Sequence, residues 1–180
     1  NFLDGPISQR FESLGYDQRG LGQSSKPAGP YAMADYGDDA AALMDALGWE
    51  SAHVVGVSFG GMVAQHLAIR HPARVQRLVL ACTSSGGEGG ASYPLHTLAD
   101  LPEDERALAG IELSDTRYDA AWRQREPDAF AAILKMMSAR AHVTEPSPET
   151  EHGAAAQLEA RSHHDTYEQL SKISAPTYIC

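Results

Sequence analysis

Apolar positions follow two rhythms along the first half of this 180-residue chain. His53-Val54-Val55-Gly56-Val57 and Arg77-Leu78-Val79-Leu80-Ala81-Cys82 are short, nearly continuous apolar runs, the pattern of buried strands. Between them Gly61 to Ile69 is helix-compatible. Upstream, Tyr36, Ala40, Leu43, Met44 and Leu47 recur at helical spacing, which predicts a helix over about 35–47, stopped by Gly48. Leu14-Gly15-Tyr16 reads as the end of an earlier strand, and Gly20 to Tyr31 as a Gly, Ser and Pro-rich loop. Alternating strands and helices predict a parallel sheet covered by helices.

The rhythm changes at Thr83-Ser84-Ser85-Gly86-Gly87-Glu88-Gly89-Gly90. This stretch lacks the G-x-x-x-x-G-K-[ST] spacing of a phosphate loop and reads as a hinge into an insertion. From about 91 to 171 no strand pattern is present. The clearest helix starts at Pro127 and places Phe130, Ile133, Leu134 and Met137 on one face. Thr144 to Thr150 reads as a loop, with short helices expected over Glu149–Arg161 and Asp165–Lys172. Ala175 to Cys180 reads as one more strand.

Where the first apolar run meets its helix, Gly56-Val57-Ser58-Phe59-Gly60 spells G-x-S-x-G, with a further glycine at Gly61. Strand, tight turn and helix in that order form a nucleophile elbow. The glycines are expected because a Cβ at the flanking positions would collide with the strand or helix. Ser58 is therefore the candidate nucleophile, held in a strained backbone conformation above the sheet. The backbone N–H of Phe59, at the helix start, is the candidate oxyanion donor.

These residues resemble the α/β-hydrolase superfamily. Tyr16-Asp17-Gln18-Arg19-Gly20-Leu21-Gly22-Gln23-Ser24 is similar to its D-x-R-G-x-G-x-S turn, and Arg77–Cys82 to its next strand. The Ser-Phe-Gly-Gly elbow is common in its cofactor-free esterases, lactonases and carbon–carbon bond hydrolases. The resemblance implies an α/β-hydrolase fold: a mostly parallel sheet, helices on both faces and an inserted helical cap. It divides the chain into a partial core, 1–85 and 172–180, and a cap, 86–171, that shapes substrate choice. It makes Asp17 and Arg19 braces of the turn. The family's triad runs Ser, then Asp or Glu, then His. It places the acid and histidine beyond Cys180, and the second oxyanion donor before Asn1. The chain thus reads as an internal fragment with N- and C-terminal strands missing. The implied activity is hydrolysis of a small carboxylic ester or related acyl substrate through a serine acyl-enzyme, without cofactor. A thioesterase or acyltransferase would share every residue seen here. A ligand-binding, receptor-like protein on the same scaffold is the alternative from another class. Serine rather than Asp at the elbow argues against dehalogenases and epoxide hydrolases.

The eight histidines offer no obvious replacement base. His53 starts a strand, His66 and His71 lie on the elbow helix, and His96, His142 and His152 fall in the polar middle region. His163-His164-Asp165 is the one suggestive cluster, yet neighbours on a helix point in different directions. No Cys or His spacing resembles a metal site.

Charge and composition narrow the partners. A net charge of −10 argues against nucleic acid and anionic membrane surfaces; the small-molecule substrate is what the resemblance implies. Cys82 and Cys180, each in an apolar run, are expected as buried small hydrophobes, which suits a cytoplasmic location. No apolar run approaches the ~20 residues needed to span a bilayer.

Overall fold

The computed structural model of the protein describes residues 5–98, 101–141 and 147–180, the side chains of 137–141 excepted. The chain divides into two compact units, one formed by residues 1–92 with 148–180 and the other by 93–147. The expected cap, 86–171, therefore contributes residues to both.

The first unit is built on a three-stranded parallel sheet in the order β1-β2-β3, with β1 at Ala52–Val57, β2 at Val75–Ala81 and β3 at Thr177–Ile179. Helix α1 (Met33–Ala46) precedes β1, and α2 (Phe59–Arg70) joins β1 to β2. This is a parallel β-α-β unit in which α2 packs on both strands it connects. Ala41, Ala64, Leu67, Ala68, Val75, Leu78 and Leu80 form a buried cluster between helices and sheet.

Helix α1 starts where Asp35 Oδ2 accepts the Ala32 N–H at 2.9 Å and ends at Gly48, φ 71°. Its buried face differs from the expected one: Met33, Tyr36, Gly37, Ala41 and Met44 are buried, whereas Leu47 is 46% exposed. The cause is Gly37. A Cβ there would lie 2.9 Å from the Leu67 nitrogen, so the missing side chain lets α1 settle against α2 on that side.

Two other expectations are corrected. Leu14 to Tyr16 belongs to no strand, because among the described residues it has no ladder partner; Leu14 and Tyr16 are exposed beside the open edge of β1. Together with Leu43, Trp49, Val55 and Val63 they line an apolar groove of about 180 Å³. Cys82 and Cys180 are exposed free thiols, not buried hydrophobes; Cys82 sits just past the last residue of β2.

The D-x-R-G-x-G-x-S segment is a brace. Arg19 Nε and Nη2 donate to the two carboxylate oxygens of Asp39 at 2.6 and 2.7 Å, and Nη1 lies 3.2 Å from Asp35. Its guanidinium carbon stands 5.8 Å from the ring centroids of both Tyr31 and Tyr36. Asp17 Oδ2 accepts the Gln23 N–H at 2.9 Å, closing the turn.

Helix α6 (Pro148–Ser162) belongs to this unit, with Ala160 buried beside Tyr31, Met33, Tyr36, Met62 and Val63. After it comes a 3-10 helix, Tyr167–Lys172, where an ordinary helix from Asp165 was expected; the Thr166 N–H is bonded to Ser85 O at 2.8 Å.

The second unit contains α3 (Glu103–Ser114), α4 (Ala120–Arg125) and α5 (Pro127–Ala141). Ile111 is fully buried, and Arg123 pairs with Glu112 and lies over the Phe130 ring. Phe130, Ile133 and Leu134 are half-buried on α5 as expected. The side chain of Met137, His142 and residues 144–146 lie outside the described residues. Among the described residues, no helix is long and apolar enough to cross a membrane.

Candidate active site

Ser58 sits between the last residue of β1 and the first of α2, exposed, with φ 53° and ψ −118°. Few L-residues adopt that conformation, and it costs on the order of 1–3 kcal/mol. The surroundings hold it. The Ser58 N–H donates to Ala81 O at 2.9 Å, one step past the Val57–Ala81 register of the parallel ladder. The Ser58 carbonyl accepts the N–H groups of Gly61 at 2.9 Å and Met62 at 3.3 Å, and the Thr83 hydroxyl at 2.8 Å.

The glycines divide in their roles. A Cβ on Gly56 would meet Gly60 O at 2.5 Å, and one on Gly61 would meet the Thr83 Cβ at 2.6 Å. Gly60 departs from expectation: nothing lies within 4 Å of its Cβ position, so crowding does not demand glycine there. Phe59 packs its ring edge-on against Tyr36, centroids 5.0 Å apart, which anchors the first turn of α2. The first N–H groups of a helix have no intrahelical acceptor and face outward from its start, beside the Ser58 side chain.

The histidines do not complete a triad. Among the described residues, none is bonded to the Ser58 hydroxyl. His71 contacts Asp38 at 2.7 Å, His152 contacts Ala28 O, His163 contacts Glu159, and His164 contacts Ser84 O at 3.0 Å. The 163–165 cluster disperses: His163 is exposed, His164 is buried, and the Asp165 carboxylate accepts the Tyr167 N–H. Among the described residues, no group of three or more His, Cys, Asp or Glu side chains could hold a metal ion.

A polar cluster that sequence reasoning missed lies behind the elbow. Gln65 on α2 is 2% exposed; its amide donates to Ser84 O at 3.0 Å and accepts from the Thr166 hydroxyl at 2.6 Å. His66 and His164 meet edge-on, with ring centroids 5.4 Å apart. Among the described residues, His66 Nε2, His164 Nδ1 and Ser84 Oγ have no hydrogen-bond partner. Burial, then the neighbouring His164 and Arg70, lowers the pKa of His66 to about 4 against the opposing pull of Asp38. Burial also lowers that of His164, aided by Arg161 and opposed by the Ser84 carbonyl and Asp165. A Gln-His pair within an otherwise apolar helix was the available signal.

Comparison with known proteins identifies the fold. A 2-hydroxymuconate semialdehyde hydrolase of Pseudomonas putida is 37% identical over 145 residues, 71% of this chain and 50% of that protein. A 3-oxoadipate enol-lactonase of Acinetobacter baylyi is 31% identical over 91% of this chain and 58% of its own length. Among solved structures, an enol-lactonase from Burkholderia xenovorans superposes with a TM-score of 0.61 at 27% identity, covering 91% of this chain and 59% of that one. A hydrolase from Pseudomonas aeruginosa gives 0.60 at 35% identity, with 91% and 58% covered. The chain thus spans about half the length of the curated relatives it matches. The profile described as "alpha/beta hydrolase fold" matches residues 3–142, and the chain belongs to that family.

Proposed function

We propose that the full-length protein hydrolyses a small carboxylic ester or a related acyl substrate, such as a lactone, an enol-lactone or a carbon–carbon diketone, through an acyl-enzyme on Ser58. The observation that carries this reading is the exposed, positive-φ Ser58 at the strand–helix bend. Ser58 Oγ attacks the substrate carbonyl, and the N–H of Phe59 receives the oxyanion. A histidine oriented by an acid takes the serine proton and gives it to the leaving group; it then takes a proton from the water that attacks the acyl-enzyme and returns it to Ser58 Oγ as the acid product leaves. In the family pattern the acid and then the histidine follow the serine along the chain. The names of relatives support the substrate class: a semialdehyde hydrolase and an enol-lactonase. Two exposed free thiols suit a reducing, cytoplasmic setting.

The test is covalent. A fluorophosphonate probe labels the wild-type full-length protein, and Ser58→Ala abolishes labelling and lowers ester turnover roughly 1,000-fold or more. Labelling that persists in the variant overturns the assignment. Ligand binding by a wild-type protein that neither labels nor turns over esters would favour the receptor-like alternative.

A further inference from the structure

We infer that Thr83 is a positioning residue for the oxyanion site. This rests on Ser58 being the nucleophile. A peptide unit is planar, so the carbonyl of one residue and the N–H of the next point in opposite directions as one rigid piece. The Ser58 carbonyl and the Phe59 N–H are the two ends of one such unit. The Thr83 hydroxyl donates to the Ser58 oxygen at 2.8 Å and thereby grips the end opposite the candidate oxyanion donor. Rotation of that plane would swing the Phe59 N–H away from the serine.

Two donors of the helix itself reach this carbonyl. The N–H from Met62, its regular α-helical partner, is at 3.3 Å, and Gly61 contributes the tighter contact at 2.9 Å. Thr83 adds a third donor from outside the helix, one that does not depend on α2 keeping ideal geometry in its first turn. A hydrogen bond to the carbonyl also polarises the unit and strengthens its N–H as a donor.

The neighbourhood is shaped around this contact. Cys82, the residue before Thr83, takes φ 49°, one of two positive-φ non-glycine positions among the described residues. That left-handed step places Thr83 beside α2, while Ala81 O still receives the Ser58 N–H. Gly61 leaves the space: a Cβ there would stand 2.7 Å from the Thr83 hydroxyl oxygen. Gly61 and Thr83 are therefore a matched pair, and the third glycine of the elbow is explained by the threonine it faces.

Thr83→Val removes the hydroxyl at nearly constant volume, and Thr83→Ser restores it. In the full-length protein, Thr83→Val should lower kcat at least about tenfold with KM little changed, because the donor it aims acts mainly in the transition state. Affinity for an alkyl boronic acid, which forms a tetrahedral anion on a serine oxygen, should fall in parallel. Thr83→Ser should recover both to within about threefold. Thr83→Ala removes the hydroxyl without bulk beside Gly61, so a folding defect in the valine form leaves the question decidable. Unchanged kcat and boronate affinity in Thr83→Ala, or no recovery in Thr83→Ser, overturns the inference. Fluorophosphonate labelling undiminished in Ser58→Ala would instead overturn the nucleophile assignment, and this inference with it.

Discussion

Ser58 and Cys82 face each other one step beyond the Val57–Ala81 pair of the parallel ladder, and both leave their strands with positive φ, 53° and 49°. The two bends are made together: the Ser58 N–H reaches Ala81 O, and the Cys82 N–H reaches Cys180 O, both at 2.9 Å. The backbone at Cys82 thus matters more than its thiol. Cys82→Gly should retain or gain stability, by up to about 1 kcal/mol, because glycine adopts φ > 0 without strain. Cys82→Val should lose about 1–3 kcal/mol, since a β-branched residue is a poor occupant of that region. Denaturant midpoints of the two variants against wild type check the ordering.

The edge-on His66–His164 pair gives stability a pH dependence of definite sign. His66 is held near pKa 4 in the folded state against an ordinary value of 6.5, and His164 is shifted in the same direction. Both rings fold neutral. The contribution of His66 is complete above about pH 6.5 and is lost as pH falls toward 4, and that of His164 weakens in the same direction, because the unfolded chain takes up protons first. The slope in that window approaches about 1.4 kcal/mol per pH unit for each histidine withheld from protonation. Thermal melts from pH 7.5 to 4.5 should show it, and His66→Leu should flatten part of it. A slope unaltered in His66→Leu would mean that other groups cause the acid loss.

Arg19 is a brace whose geometry lysine cannot copy. Its fork bonds both oxygens of Asp39 while its plane lies near two tyrosine rings. Arg19→Lys keeps the charge but loses the bidentate contact, and should destabilise the protein by roughly 1–2 kcal/mol. Asp39→Asn should cost a similar amount, and the double variant less than the sum, because both remove one interaction. Additive losses in that cycle would show that Arg19 acts through its other neighbours.

The open edge of β1 carries a prediction for residues 1–180 expressed alone. Val55 and Val57 are 50% and 59% exposed, and β1 is paired on its β2 side only. Unpaired strand edges with apolar neighbours invite association. This polypeptide should melt over a broad range, aggregate as concentration rises and show no esterase turnover. A sharp, concentration-independent transition with turnover abolished by Ser58→Ala would refute this.

What was legible in the sequence was what short stretches determine. The elbow was readable because its turn needs glycine at Gly56 and Gly61 within a few residues of Ser58, and the Arg19 turn because its polar residues are closely spaced. What depended on distant partners was not. Leu14 to Tyr16 has strand-like composition, but only a neighbouring strand can make it one. The face of α1 was set by Gly37 against Leu67, a contact across 30 residues. Cys82 belongs to an apolar run, yet it lies past the end of β2, where exposure returns. The burial of His164 depended on Ser84 and Gln65, far earlier in the chain.

The bond between Gln65 and Thr166 spans 101 residues, which bears on the order in which the protein can be made. At about 5–20 residues per second, the ribosome delivers Thr166 roughly 5–20 s after Gln65. Throughout that interval the elbow helix can assemble against β1 and β2, yet its Gln65 carbonyl has only water to accept from. The segment from His164 onward then seals the back of the elbow. Its threonine hydroxyl replaces that water, and His164 covers a flank of α2 that a nascent chain leaves wet. The Gln65 side of the elbow helix is therefore closed off only after Thr166 is made, and a ribosome stalled before Thr166 would hold Ser58 on a helix whose rear face is still solvated.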